Sequence, residues 1–176
     1  PGLLPSPTIR SSRPNFPMPS VLAVHITRAD AERLTGGPVV LHYYPLTGVS
    51  FILQAARGPA SRIDGRVFHT VTDRATGSIA TSEAWELGDL ADVDASAVWK
   101  EYEPAGDEAK RSVVTAARQT LTTRLLRTVR LGGQFELRVN QVIDPLWKPN
   151  WLYTDKNKRV QILVDGLNGS TAKRRL

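Results

Sequence analysis

The chain has 176 residues, 41% of them hydrophobic and 23% charged, which is an ordinary globular balance and not the profile of a wholly disordered polypeptide. It carries no cysteine, so disulfides, cysteine nucleophiles and cysteine-based metal sites are excluded. Net charge is +6, carried by 17 Arg against 6 Lys, a bias that suits forked recognition of phosphate or carboxylate. No apolar run reaches the roughly 18 to 20 residues that span a bilayer, and no signal-peptide pattern opens the chain, so the expectation is a protein neither secreted nor transmembrane.

Charge is laid out in blocks. Residues 1–82 carry eight bases and four acids, residues 83–108 one base and nine acids, and residues 109–176 fourteen bases and four acids. Such segregation favours a basic surface facing a polyanion, or an acidic patch on one copy meeting a basic patch on the next.

Residues 1–20 hold six of the twelve prolines and no acid, which predicts an extended arm outside the main fold. Val21–Ile26 reads as a strand, and Thr27 with Asp30 then resembles a capping box opening a short helix that stops at Gly36-Gly37. Val39–Tyr44 and Val49–Ala55 read as two strands joined in a hairpin by Pro45 to Gly48. Residues 57–65 form a loop by composition. Val67–Thr72 and Ser78–Trp85 flank the turn Asp73–Gly77 as a second hairpin. A second short helix is expected over about 95–102, before Pro104.

The longest periodic segment predicts an amphipathic helix over about 107–131, with Val113, Val114, Ala117, Leu121, Leu125 and Leu131 on one arc and Arg118, Arg127 and Arg130 outside it. Asp107 and Glu108 at its start and arginines near its end suit the helix dipole. Phe135–Ile143 alternates as a strand. Asp144–Trp151, broken by Pro145 and Pro149, reads as irregular, and Leu152–Thr154 with Arg159–Val164 brackets a turn at Asp155–Lys158 as a third hairpin.

The fold expected is therefore α+β: an antiparallel sheet built from hairpins, one long amphipathic helix and two short ones. The division is an arm at 1–20, one domain at 21–165 and a basic tail at 166–176.

No zinc, P-loop, dinucleotide or nucleophile-elbow spacing occurs. His25, His42 and His69 lie in expected strands without partners at ligand spacing. Asp89, Asp92 and Asp94 match no calcium-loop pattern, so no metal or cofactor is expected. Trp147, Trp151 and Tyr153 stand among Lys148, Lys156, Lys158 and Arg159, a mixture that serves either base stacking or packing.

The reading that follows is a non-enzymatic structural subunit of a large assembly: a viral coat or matrix protein, or a ribonucleoprotein component, inside a virion or in the cytoplasm. Its partners would be copies of itself and RNA, another polyanion or an anionic membrane surface, with no small-molecule substrate. Lys110, Arg111, Arg118, Arg127, Arg130, Lys173, Arg174 and Arg175 are the candidate phosphate contacts. The alternatives are a stand-alone nucleic-acid-binding module centred on residues 147–159 and a small hydrolase using His42 or His69.

Overall fold

The computed structural model describes residues 20–88, 103–128 and 134–176. The expected arm up to residue 19, the short helix at 95–102, Asp89, Asp92 and Asp94, and Arg130 and Leu131 lie outside these residues. Among the described residues the chain folds as a mixed α+β structure with an eight-stranded sheet, two α-helices and a short 3-10 helix at Pro59–Ile63.

In chain order these are β1 (Ser20–Leu22), α1 (Arg28–Thr35), β2 (Val40–Gln54), β3 (Val67–Asp73), β4 (Ser78–Ser82), β5 (Leu87–Gly88), α2 (Asp107–Thr128), β6 (Glu136–Asp155), β7 (Val160–Asp165) and β8 (Thr171–Arg175). Strand order is β4-β3-β2-β6-β1-β5, while β7 joins β6 further along the same edge and β8 joins β7. The sheet is mixed and not purely antiparallel, because β1 runs parallel to β6 with Ser20 opposite Leu146 and Val21 opposite Trp147.

Two hairpins match the turn chemistry. Between β3 and β4, Asp73 accepts from the backbone of Ala75 and Gly77 closes the turn at φ 71°. Between β6 and β7, the Asp155 carboxylate accepts from Asn157 N and Lys158 N, both at 3.0 Å. Helix α1 begins as its capping box dictates: Thr27 accepts from Asp30 N, and left-handed Gly36 ends it.

The expected hairpin at Pro45–Gly48 does not form. β2 runs straight through it and pairs with β6 from Val40 opposite Leu152 to Gln54 opposite Glu136, with irregularities at Leu46/Gly48 and Ser50/Phe51. Pro45 stands opposite Trp147 of β6, while β3 begins pairing only at Thr47, so Pro45 has a described strand neighbour on one side only, the kind of position at which a strand accepts proline. Gly48 serves packing. A Cβ there would stand 2.8 Å from Leu146 and 2.9 Å from the Trp85 ring.

β6 corrects the sequence reading in the same way, running unbroken through Pro145 and Pro149 where an irregular segment was expected. The strand expected over Val21–Ile26 ends at Leu22, and the sheet is not assembled from hairpins alone, since its centre is the long-range β2–β6 pair.

Helix α2 covers one face of this pair. Ala117, Leu121 and Leu125 are buried against Val49, Phe51, Leu53 and Leu137, with Val113 and Val114 packed alongside. Each large apolar side chain fully buried here contributes roughly 1.5 to 3 kcal/mol. A second cluster joins Ala31 of α1 to Val39, Trp151 and Val164, and a third joins Leu22, Ile143 and Leu146, with Trp85 and Leu167 at its border.

Candidate nucleic-acid interface

The proposed cations fall on two elements, and the fold treats them differently. On α2, Arg111, Arg118 and Arg127 are exposed and Lys110 is half-buried. At about 100° per residue, Arg111 and Arg118 lie roughly 60 to 80° to one side of buried Leu121, and Arg127 lies roughly 120° to the other. Between these flanks the outward face presents Ser112, Thr115, Gln119, Thr123 and Leu126, all exposed. Among the described residues, Asp107 to Thr128, the helix therefore carries exposed cations on both shoulders and none along its crest. Arg118 is also drawn inward, its guanidinium 5.8 Å from the Phe51 ring centroid. On the opposite shoulder Arg124 donates to the Thr81 hydroxyl.

Lys173, Arg174 and Arg175 stand in β8, a strand at the edge of the sheet, where the sequence reads a tail. The turn leading into it is well built. Asp165 Oδ1 accepts from Leu167 N at 2.9 Å, Gly169 N donates to Asp165 O at 2.9 Å, and Gly169 sits at φ 74°. In the β7–β8 register Val160 faces Arg175, Gln161 faces Arg174 and Ile162 faces Lys173. Side chains alternate along a strand, so Lys173 and Arg175 share one face and Arg174 takes the other. Arg174 Nε donates to Gln161 Oε1 at 2.6 Å, and Gln161 Nε2 donates to Thr154 Oγ1 at 3.4 Å.

The β6–β7 turn lies beside this strand end, tied to it by the bond from Leu176 N to Arg159 O at 2.8 Å. Lys158, Arg159, Lys173, Arg174 and Arg175 thus line one shallow depression of about 710 Å³, with Val160 and Leu176. The neighbouring carboxylate, Asp155, is committed to the turn: backbone N–H of Lys158 foremost, with that of Asn157, holds its pKa below the usual range, and Lys158 Nζ is 3.7 Å away. Among the described residues no carboxylate lies within ion-pair distance of Arg159, Lys173, Arg174 or Arg175.

The aromatic candidates face inward. Trp147 and Trp151 are each 6% exposed. The Trp151 indole donates to Ile26 O at 2.8 Å, and Arg28 lies 5.7 Å from its ring. Tyr153 is half-buried over Gly37, where a Cβ would collide with its ring. Trp151 and Tyr153 pack the sheet against α1, and buried Trp147 and Trp151 are not presented to solvent as stacking platforms.

Sequence reasoning did not include Lys158 and Arg159 among the phosphate contacts. A signal for their place existed in Asn168-Gly169, a hairpin dipeptide that returns 171–175 along Val160–Val164 and so beside the preceding turn.

The histidines occupy separate surroundings. His25 Nε2 lies 2.9 Å from Glu86, His42 is exposed on β2, and His69 packs edge-on to Trp85 with ring centroids 4.8 Å apart, burial holding its pKa below the ordinary value. A second hollow, of about 730 Å³, lies between α2, β3, β4 and the Trp85 segment. In it Lys148 Nζ meets Asp165 Oδ2 at 2.6 Å. Among the described residues no group of three or more His, Asp or Glu side chains is placed to hold a metal ion.

Fold and surface together define a mixed α+β chain with a basic sheet corner. No family model, no curated protein and no solved structure matches it.

Proposed function

We propose that the protein is a non-enzymatic structural subunit of a large assembly, a coat or matrix protein or a ribonucleoprotein component in a virion or in the cytoplasm. It makes contacts to its own copies and electrostatic contacts to RNA or another polyanion. The observation that carries this reading is the basic depression at the β7–β8 corner, where cations gather with little acid to offset them. In the sequence the acids concentrate in residues 83–108, and exposed Glu83 and Glu86 of that block stand beside β5. Among the described residues β5 and β8 are both outermost strands, and exposed Glu83 and Glu86 beside the one with cations on the other favour head-to-tail contact between copies. The burial of Trp147 and Trp151 weighs against the stand-alone module that would bind through those rings.

Light scattering after size exclusion, with and without a generic single-stranded RNA, tests the reading. Higher-order species that take up RNA at low salt and fall apart as salt rises are expected. A monomer that ignores RNA at every salt concentration would overturn it.

A further inference from the structure

Three features of the β7–β8 corner bear on what it holds. Charge density comes first. The acid-rich block places nine carboxylates in the 26 residues from 83 to 108, about one per three residues, whereas a nucleic-acid strand carries one charge on every nucleotide. Lys158, Arg159, Lys173 and Arg175, gathered at one depression while Arg174 turns to the other face of β8, match the denser polymer. Spacing comes second: Lys173 and Arg175, two positions apart on one face of β8, stand about 7 Å from each other, a separation that neighbouring phosphates of a stretched strand can meet. The third is the absence of exposed aromatic rings from its lining, which consists of Val160, Leu176 and the five cations.

We infer that the β7–β8 corner, and not helix α2, is the phosphate seat for a single-stranded nucleic acid, gripping a few consecutive phosphates through Lys158, Arg159, Lys173 and Arg175 while the bases point away unread. Arg174 is a positioning residue: its bond to Gln161 ties β8 to β7, and Gln161 reaches on to Thr154 of β6. This inference rests on the polyanion contact proposed above and adds its location and mode.

The test is fluorescence anisotropy with labelled 20-nucleotide oligo(U) and oligo(A) across a salt series. Base-indifferent binding is expected, its log–log salt slope steepening by about 0.7 per phosphate neutralised. In the full chain, Lys173→Gln with Arg175→Gln should make that slope shallower by about 1.4, for two lost contacts. Arg111→Gln with Arg118→Gln should leave it unchanged. Circular dichroism confirms that each variant is folded, and Arg174 is kept so that β8 stays paired. Loss of slope in the α2 variant alone would overturn the location while leaving the polyanion reading intact. A strong preference for one oligomer would overturn the mode. Should the β8 variant lose self-association yet keep its slope, the corner seats another copy's acidic segment and the inference fails. No binding of either oligomer by the parent chain would sink the polyanion reading itself.

Discussion

Replacing Gly166 by alanine tests whether the chain beyond β7 is built into the fold or merely follows it. Gly166 N donates to Pro149 O at 3.0 Å, and its own carbonyl accepts from both His25 N and Ile26 N at 2.9 Å. One residue thus ties the β7 end to the middle of β6 and to the segment entering α1. A Cβ at this position would stand 2.6 Å from Pro149 O and 3.0 Å from Pro149 C, both backbone atoms of a fully buried residue. No side-chain rotation relieves that contact, so the backbone must move. Overpacking of this kind costs about 1 to 3 kcal/mol, and weakening one of the three backbone bonds adds about 1 kcal/mol. A loss of about 2 to 4 kcal/mol corresponds to a melting temperature lower by about 4 to 16 °C in a chain of this size. The assay is thermal unfolding by circular dichroism. Gly88→Ala serves as the control, since its added Cβ would meet its nearest neighbours at an ordinary 3.9 Å; it should stay within about 0.5 kcal/mol of the parent. If Gly166→Ala melts within 2 °C of the parent (about 0.5 kcal/mol), the crowding and the anchoring role are both wrong.

Leu121→Ala, which empties a 2% exposed position between α2 and the sheet, should cost about 2 to 5 kcal/mol in urea unfolding, while Gln119→Ala on the exposed crest should be near neutral. Lys148→Met leaves buried Asp165 without its ion-pair partner and should destabilise by about 3 kcal/mol, with Lys148→Met/Asp165→Asn recovering part of that loss. Because burial holds the His69 pKa below its usual 6.5, the unfolded chain takes up that proton first as pH falls. His69 therefore contributes a loss of stability from about pH 6.5 down to its lower folded pKa, and none further below it. Comparing urea midpoints at neutral and mildly acidic pH should show a smaller drop for His69→Gln than for the parent.

Local chemistry was read correctly where a few neighbouring residues decide the conformation. Thr27 and Asp30 start α1, Gly36 ends it, Asp73 and Asp155 shape two turns, and the periodicity of Val113, Val114, Ala117, Leu121 and Leu125 marks the buried side of α2. Prolines misled the reading at Pro45, Pro145 and Pro149, because a proline breaks a strand only where its missing N–H would have faced a partner. Whether a partner lies there depends on residues about a hundred positions away, as with Pro45 opposite Trp147. Gly48 was misread for the same reason: it resembles a turn glycine locally, but its smallness answers to Leu146 and Trp85.

The candidate surface divides along the same line. Composition and order determined that the chain would carry separate acidic and basic blocks, that α1 would begin at Thr27 and end at Gly36, and that no cysteine would enter its chemistry. Tertiary structure alone decided which cations share a surface. It split those of α2 onto two shoulders, because the helix turns to bury Leu121, and it gathered Lys158 and Arg159 with Lys173 to Arg175, because β8 returns along β7. It also put Trp147 and Trp151 inside, where the free energy of removing large rings from water outweighs any use of them at the surface. Charge is a property of each residue and is written in the sequence, whereas proximity is a property of the pairing between distant strands.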